Sequence, residues 1–359
     1  MEKQRILGYD LARSLAIFGM VFVNFKVVMH ASPEAGHEWL SIFNFLDGRA
    51  SSVFVVLAGI GVSLMSNKAR LSGDAKRYRL VQRSVMKRAL FLFIFGLSYI
   101  AIWPADILHF YGIYMLFGVL LLSCSPKVLL TIAALLSIVF TMLFFTLNYG
   151  EAWDWTNLSY ADFWQAQGFL RNLFFNGFHP FFPWAGFFLI GLMLGRLNMH
   201  NAQTRWRIAV WSVCAIVAAE LLSYILKFVL GNQGWDAESI AVLTSVHPMP
   251  PLPVYFLSAS GSACFLIVMC VVMGDRFCQA RWLTPLVNTG QLALSLYLGH
   301  VIVGMGALEA MGMLHAQSMG FSVFSATIFC AAAIIFSHAW RHYFAQGPIE
   351  WLMRKVTMT

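Results

Sequence analysis

Three polar residues stand inside the first stretch of this chain that is apolar enough to cross a membrane. The segment RILGYDLARSLAIFGMVFVN carries Asp10, Arg13 and Asn24. On a helix of about 3.6 residues per turn, Arg13 falls about 60° and Asn24 about 40° to the same side of Asp10, so all three share one narrow stripe. A lone charge at mid-bilayer costs roughly 2.5–3.5 kcal/mol, which groups in such a stripe avoid by pairing or by lining a site. Asp10 and Arg13, three residues apart, can pair with each other, and a structural ion pair is one reading of them. Asn24 has no partner in its own segment, and that points to a site.

The rest of the chain is built the same way. Of its 359 residues 59% are hydrophobic and 11% charged, and the mean hydropathy is +0.71, which excludes a soluble protein with an ordinary surface. Apolar runs recur at 11–30, 45–66, 88–104, 108–124, 127–147, 180–196, 207–230, 255–273, 286–308 and 320–340. The expectation is an all-α, polytopic membrane bundle of about ten helices, forming one transmembrane domain over 1–359. No cleavage site follows the first run, so that helix is expected to remain as structure rather than leave as a signal peptide.

Charge sets the orientation. All but Lys26, Arg49, Arg171 and Lys227 of the 24 lysines and arginines fall at the termini or in alternate loops, which predicts both termini on the cytoplasmic side. The net charge of +8 is then topological and calls for no nucleic acid. The six cysteines fall in helices or on the cytoplasmic side under this arrangement, and no disulfide or metal framework is expected.

The outward-facing ends gather polar residues: His30, Glu34, His37, Asp47 and Arg49 after the first helix, then Asp106, His109 and Tyr111, and farther along His179, Trp184 and His247. A histidine near neutral pH can take a proton from an amine or hydroxyl, or carry an acyl group briefly. Asp106 also suits a simpler role, because an acid in the first turn of a helix begun by Pro104 complements the dipole and can bond His109 three residues on. The outer loops are rich in tryptophan, which stacks on sugar rings but also forms interfacial belts. On the inner side KARLSGDAKRYRLVQRSVMKR, ending at Arg88, sets up to eight cations where a donor's phosphates could lie. Glu220 and Lys227 on one helix, and Gln291, Ser295 and His300 on another, are expected to face the interior and serve packing.

Three motifs together carry a resemblance. R-x4-D-x2-R with GMVFVN downstream, then HAS and DGRASSVFVVLAGIGVSL, resembles the catalytic region of heparan-alpha-glucosaminide N-acetyltransferase. DILHFYGIYML and YFAQGPIEWLMRKVT resemble the bacterial YeiB-like family, so that 1–200 reads as acetyltransferase-like and 201–359 as YeiB-like. Both sit in the transmembrane acyltransferase superfamily. The resemblance implies an enzyme of the cell (inner) membrane that takes an acetyl or other acyl group from cytoplasmic acyl-CoA, without a metal, and delivers it to a glycan or amino-sugar acceptor across the bilayer; a homodimer is left open. It maps the family's catalytic asparagine onto Asn24 and its histidine onto His30, by the HAS match, or onto His37, whose distance from the following helix fits better. On a continuing helix His30, six residues past Asn24, turns away from it. Asp106 and His109 would support the acceptor side, while Asp10, Arg13, Arg49, Arg88 and Trp184 are candidates for binding donor or substrate. His300, where the YeiB-like pattern has glutamine, is expected to hydrogen-bond only. The competing class is a small-solute transporter, which would show an inverted repeat and helices broken at mid-membrane.

Overall fold

The computed structural model describes residues 5–32 and 37–357. It is helical nearly throughout: α1 (Leu7–Val28), α2 (Arg49–Ser72), α3 (Ala75–Tyr99), α4 (Leu108–Leu120), α5 (Pro126–Thr146), α6 (Ala166–Arg171), α7 (Phe181–Leu194), α8 (Ala202–Asn232), α9 (Ala237–Leu243), α10 (Pro253–Arg276), α11 (Leu283–Gln291), α12 (Ala293–Gly299), α13 (Gly306–Ala310), α14 (Met319–Tyr343) and α15 (Pro348–Thr357). A 3-10 helix (Glu38–Leu46) precedes α2, and π-helical turns lie at Asn172–Asn176 and His300–Met305. Short polar residues start several helices by accepting from free first-turn N–H groups: Asp74 for α3, Ser125 ahead of Pro126 for α5, Asn201 for α8 and Ser318 for α14.

Each of the ten apolar runs lies on helix. Among the described residues seven helices are long and apolar enough to cross a membrane, or eight if the pair Ala166–Asn176 and Phe181–Leu194, bent by 51°, is one span. The expected runs outside that count are α3, whose first half is strongly basic, and α4, which is short.

The chain divides into two compact units. The first holds 1–54 and 263–355. In it α1 packs on α11, α12 and α14. Gly290 makes the closest crossing possible, since any side chain there would strike the Asp10 carbonyl, and Ser14 Oγ donates to the Leu286 carbonyl one turn away. The α11–α12 break at Leu292 is closed from the C-terminal tail. Glu350 of α15 accepts from the Leu294 and Ser295 N–H groups at 2.8 and 3.1 Å and from Ser295 Oγ, while Ser295 Oγ accepts from Ile349 N at 3.0 Å. The GPIEW segment is thus a helix cap supplied from another helix.

The second unit holds 55–262 with the last four residues. Here α3 lies along α4 and α5 along α7, and Phe140 of α5 joins Phe175 and Leu252 in an apolar core. In place of buried charges, α8 turns small residues inward, Ser212, Ala219 and Ser223. Glu220 and Lys227 lie on its exposed side, contrary to the sequence expectation, because that small-residue stripe takes the packing face.

Candidate active site

In the first unit the polar stripe of α1 is satisfied in two ways. The Asp10 carboxylate, 2% exposed, receives Arg13 Nη1 and Arg5 Nε, both at 2.7 Å. Arg13 is therefore held by a buried acid, as the ion-pair reading expects. Asn24 finds its partner far away in sequence: its Nδ2 lies 2.9 Å from Nε2 of His300, which is buried at the head of the π-helical turn after α12. His30 and His37 are both exposed. The helix does not run on to carry His30, since α1 ends at Val28 and His30 adopts φ +50°, the left-handed region. Glu34 lies outside the described residues.

Two other residues of this region are fixed by neighbours. Lys26, two residues past Asn24, donates to both Asp47 oxygens at 2.5 and 2.6 Å and to Asn44 at 2.9 Å. Arg49, 8% exposed, lies 4.5 Å over the Phe45 ring and donates to its carbonyl. The DGR run thus anchors the start of α2 to α1 and to the 3-10 helix.

The second unit builds a different centre. Pro104 does not begin a helix; α4 starts at Leu108, and Asp106 sits just before it. From there Asp106 Oδ2 accepts from the His109 backbone N–H at 3.1 Å and from its Nδ1 at 2.9 Å. Both side chains are shut away from solvent, at 0% and 1% exposure. A carboxylate on Nδ1 fixes the tautomer, which puts the imidazole lone pair on Nε2. His109 Nε2 is buried and has no hydrogen-bond partner among the described residues; the same holds for His179 Nδ1 and Trp184 Nε1. The Phe110 ring touches both imidazoles, 3.9 Å from that of His109 and 6.2 Å from that of His179, and the His179 ring meets Trp184 edge-on at 4.5 Å. Tyr114 holds the His179 carbonyl through its hydroxyl. Gly96 of α3 makes room for the dyad, because a Cβ there would come within 2.6 Å of Asp106 Oδ2.

Buried polar atoms left unpaired are rare and mark places where water or a ligand enters. An oriented imidazole with a free lone pair, backed by a carboxylate, is the arrangement a general base requires. Of the other residues singled out by sequence, Arg88 lies half-buried on α3. Sequence reasoning gave His300 a hydrogen-bonding role only, and it counted His179 among the outer-side histidines that could transfer a proton without choosing it for the site. The one signal for His300 was that Asn24 lacked a partner of its own. Beyond the helices a small hairpin pairs Trp153 with Tyr160, and Trp155 stacks on Trp153 at 4.5 Å while staying 39% exposed. Among the described residues no group of three or more His, Cys, Asp or Glu is placed to hold a metal ion.

Comparison with known proteins agrees with the motifs. Residues 5–228 match the family described as heparan-alpha-glucosaminide N-acetyltransferase, catalytic, and residues 194–359 match one described as a protein of unknown function, DUF418. Over its whole length the chain is similar to the uncharacterized protein YeiB of Escherichia coli (strain K12), 24% identical over 396 residues that cover 99% of this chain and 97% of that one. It is also similar to the uncharacterized protein YxaH of Bacillus subtilis (strain 168), 23% identical over 409 residues covering 99% and 95%.

Proposed function

We infer that this protein, which belongs to the heparan-alpha-glucosaminide N-acetyltransferase catalytic family, moves an acetyl or other acyl group from acyl-CoA to an amine or hydroxyl of a glycan. The donor is cytoplasmic and the acceptor lies across the cell (inner) membrane, with both termini cytoplasmic. The placement of basic residues supports that orientation, and Trp155 stacked on Trp153 supports a sugar acceptor.

The observation that carries the chemistry is the buried Asp106–His109 dyad with Nε2 left open. His109 Nε2 takes the proton of the acceptor's O–H or N–H as the acceptor attacks the thioester carbonyl carbon. The C–S bond then breaks, and the departing thiolate takes the proton back from the imidazolium, giving acylated acceptor and CoA thiol. Asp106 holds the ring and stabilises its cationic form during the transfer. We assign the base to His109 rather than to His30 or His37 because a base must be held in place by its surroundings, and those two are exposed. Protein reconstituted in vesicles should release CoA thiol from acetyl-CoA when an amino-sugar or glycan acceptor is present. His109→Gln should slow that release by about 10²–10⁴-fold with the thermal unfolding midpoint little changed. Release at the wild-type rate would sink the assignment.

A second reading is favoured by the 2.9 Å contact of Asn24 with His300: this pair does the chemistry, as the family resemblance implies for the asparagine. It is weaker on chemical grounds, since an amide N–H on Nε2 occupies the lone pair a base would use. The bent helix pair, at 51°, is what a transporter would also show. Solute uptake by vesicles without acyl-CoA would favour that class instead.

A further inference from the structure

At the C-terminal end of α14 a cleft of about 430 Å³ opens against α11, within the size range of small-ligand sites. One wall is His338, Arg341 and His342, which one turn of α14 brings to the same face; the other is Thr284 and Asn288, one turn apart on α11. The helices meet there, with Asn288 Nδ2 3.5 Å from His338 Nδ1. No carboxylate stands among the described residues that line it. Every polar side chain in the wall can donate a hydrogen bond, and Arg341 brings a permanent positive charge. Its Nη1 is already engaged with the Phe344 and Ala345 carbonyls beyond the helix end, which fixes the guanidinium. Its Nε has no partner among the described residues.

Basic residues in the last turn of a helix complement its dipole, and that alone accounts for Arg341 and His342. It does not account for a hydroxyl and an amide facing them from a second helix, nor for a wall without an acid. We propose that this cleft binds a phosphomonoester. The guanidinium fork pairs with the phosphate oxygens, and the imidazole, amide and hydroxyl donors take the remaining lone pairs. On the proposed orientation the cleft faces the cytoplasm, where two sources carry this chemistry: the 3′-phosphate of CoA and the headgroup of phosphatidic acid. The first rests on the acyltransferase reading; the site itself does not. Arg13, the sequence candidate for the donor's phosphates, is already held by Asp10.

The test is direct binding, independent of turnover. Protein in phosphatidylcholine nanodiscs is titrated with CoA, dephospho-CoA and inorganic phosphate, and inorganic phosphate is titrated again into nanodiscs containing phosphatidic acid. Arg341→Gln and the double variant His338→Gln, His342→Gln are compared with wild type; the double variant keeps the Arg341 bonds that close α14, so it guards against simple misfolding. The expected result is CoA binding at least tenfold tighter than dephospho-CoA, with the preference gone in both variants. Phosphate binding that both variants lose, without a preference for CoA and with competition from phosphatidic acid, upholds the site while removing the donor from it. Phosphate and CoA binding equal in wild type and variants overturns the site, as does wild type that binds no phosphate compound.

Discussion

His109 is held twice by one oxygen, through its backbone N–H at 3.1 Å and its ring Nδ1 at 2.9 Å, and this double hold was visible in the i, i+3 spacing of the sequence. What the spacing could not show was burial. A helix cap and a catalytic dyad look the same on paper; only packing by α3, with Gly96 under the carboxylate, separates them. His300 is the opposite case. Its partner lies 276 residues away, and a contact at such separation leaves no local trace beyond two polar residues in apolar surroundings. Because glutamine can keep the bond to Asn24, His300→Gln should leave CoA release within about fivefold of wild type, a change of about 1 kcal/mol. A loss of several orders of magnitude, measured in the same vesicles, would move the chemistry to the Asn24–His300 pair.

Helices were legible where hydropathy is uninterrupted, and their breaks were not. The apolar run at 286–308 reads as one span, yet the chain turns at Leu292 and the new helix start is capped by Glu350 from α15. That explains physically why the tail motif has its glutamate. Burial raises the Glu350 carboxyl above the ordinary range, so the folded chain holds this proton more tightly than the unfolded one. Its contribution to stability is full below about pH 4.3, the ordinary glutamate value, and is lost as pH rises through the raised folded value. Glu350→Gln stays neutral throughout. The wild-type unfolding midpoint should therefore fall relative to that of the variant as pH rises above about 4.3, as followed by thermal unfolding in detergent; parallel curves would contradict a raised Glu350 carboxyl. The α3–α4 contact gives a second test at this scale. Gly96→Ala should cost about 1–3 kcal/mol of stability by overpacking and lower CoA release, because the added Cβ would displace Asp106 and the His109 backbone, while an alanine on the far side of α3, at Ser98, should do neither.

At the scale of the whole molecule, composition and charge were enough for a polytopic helical membrane protein, and the motifs were enough for the family. Two features lay beyond them. Short or basic helices such as α4 and α3 blur the number of spans, and the two compact units interleave in sequence, the first drawing on both ends of the chain, so no linear division of the sequence could find them. The central claim is that the buried, carboxylate-backed His109 is the base, whereas the exposed histidines beyond α1 are not. The most direct measurement is acceptor-dependent release of CoA thiol from acetyl-CoA by reconstituted vesicles, comparing His109→Gln with the double variant His30→Ala, His37→Ala. The account predicts near-complete loss in the first and near wild-type release in the second. Loss in the double variant with His109→Gln still active would contradict it.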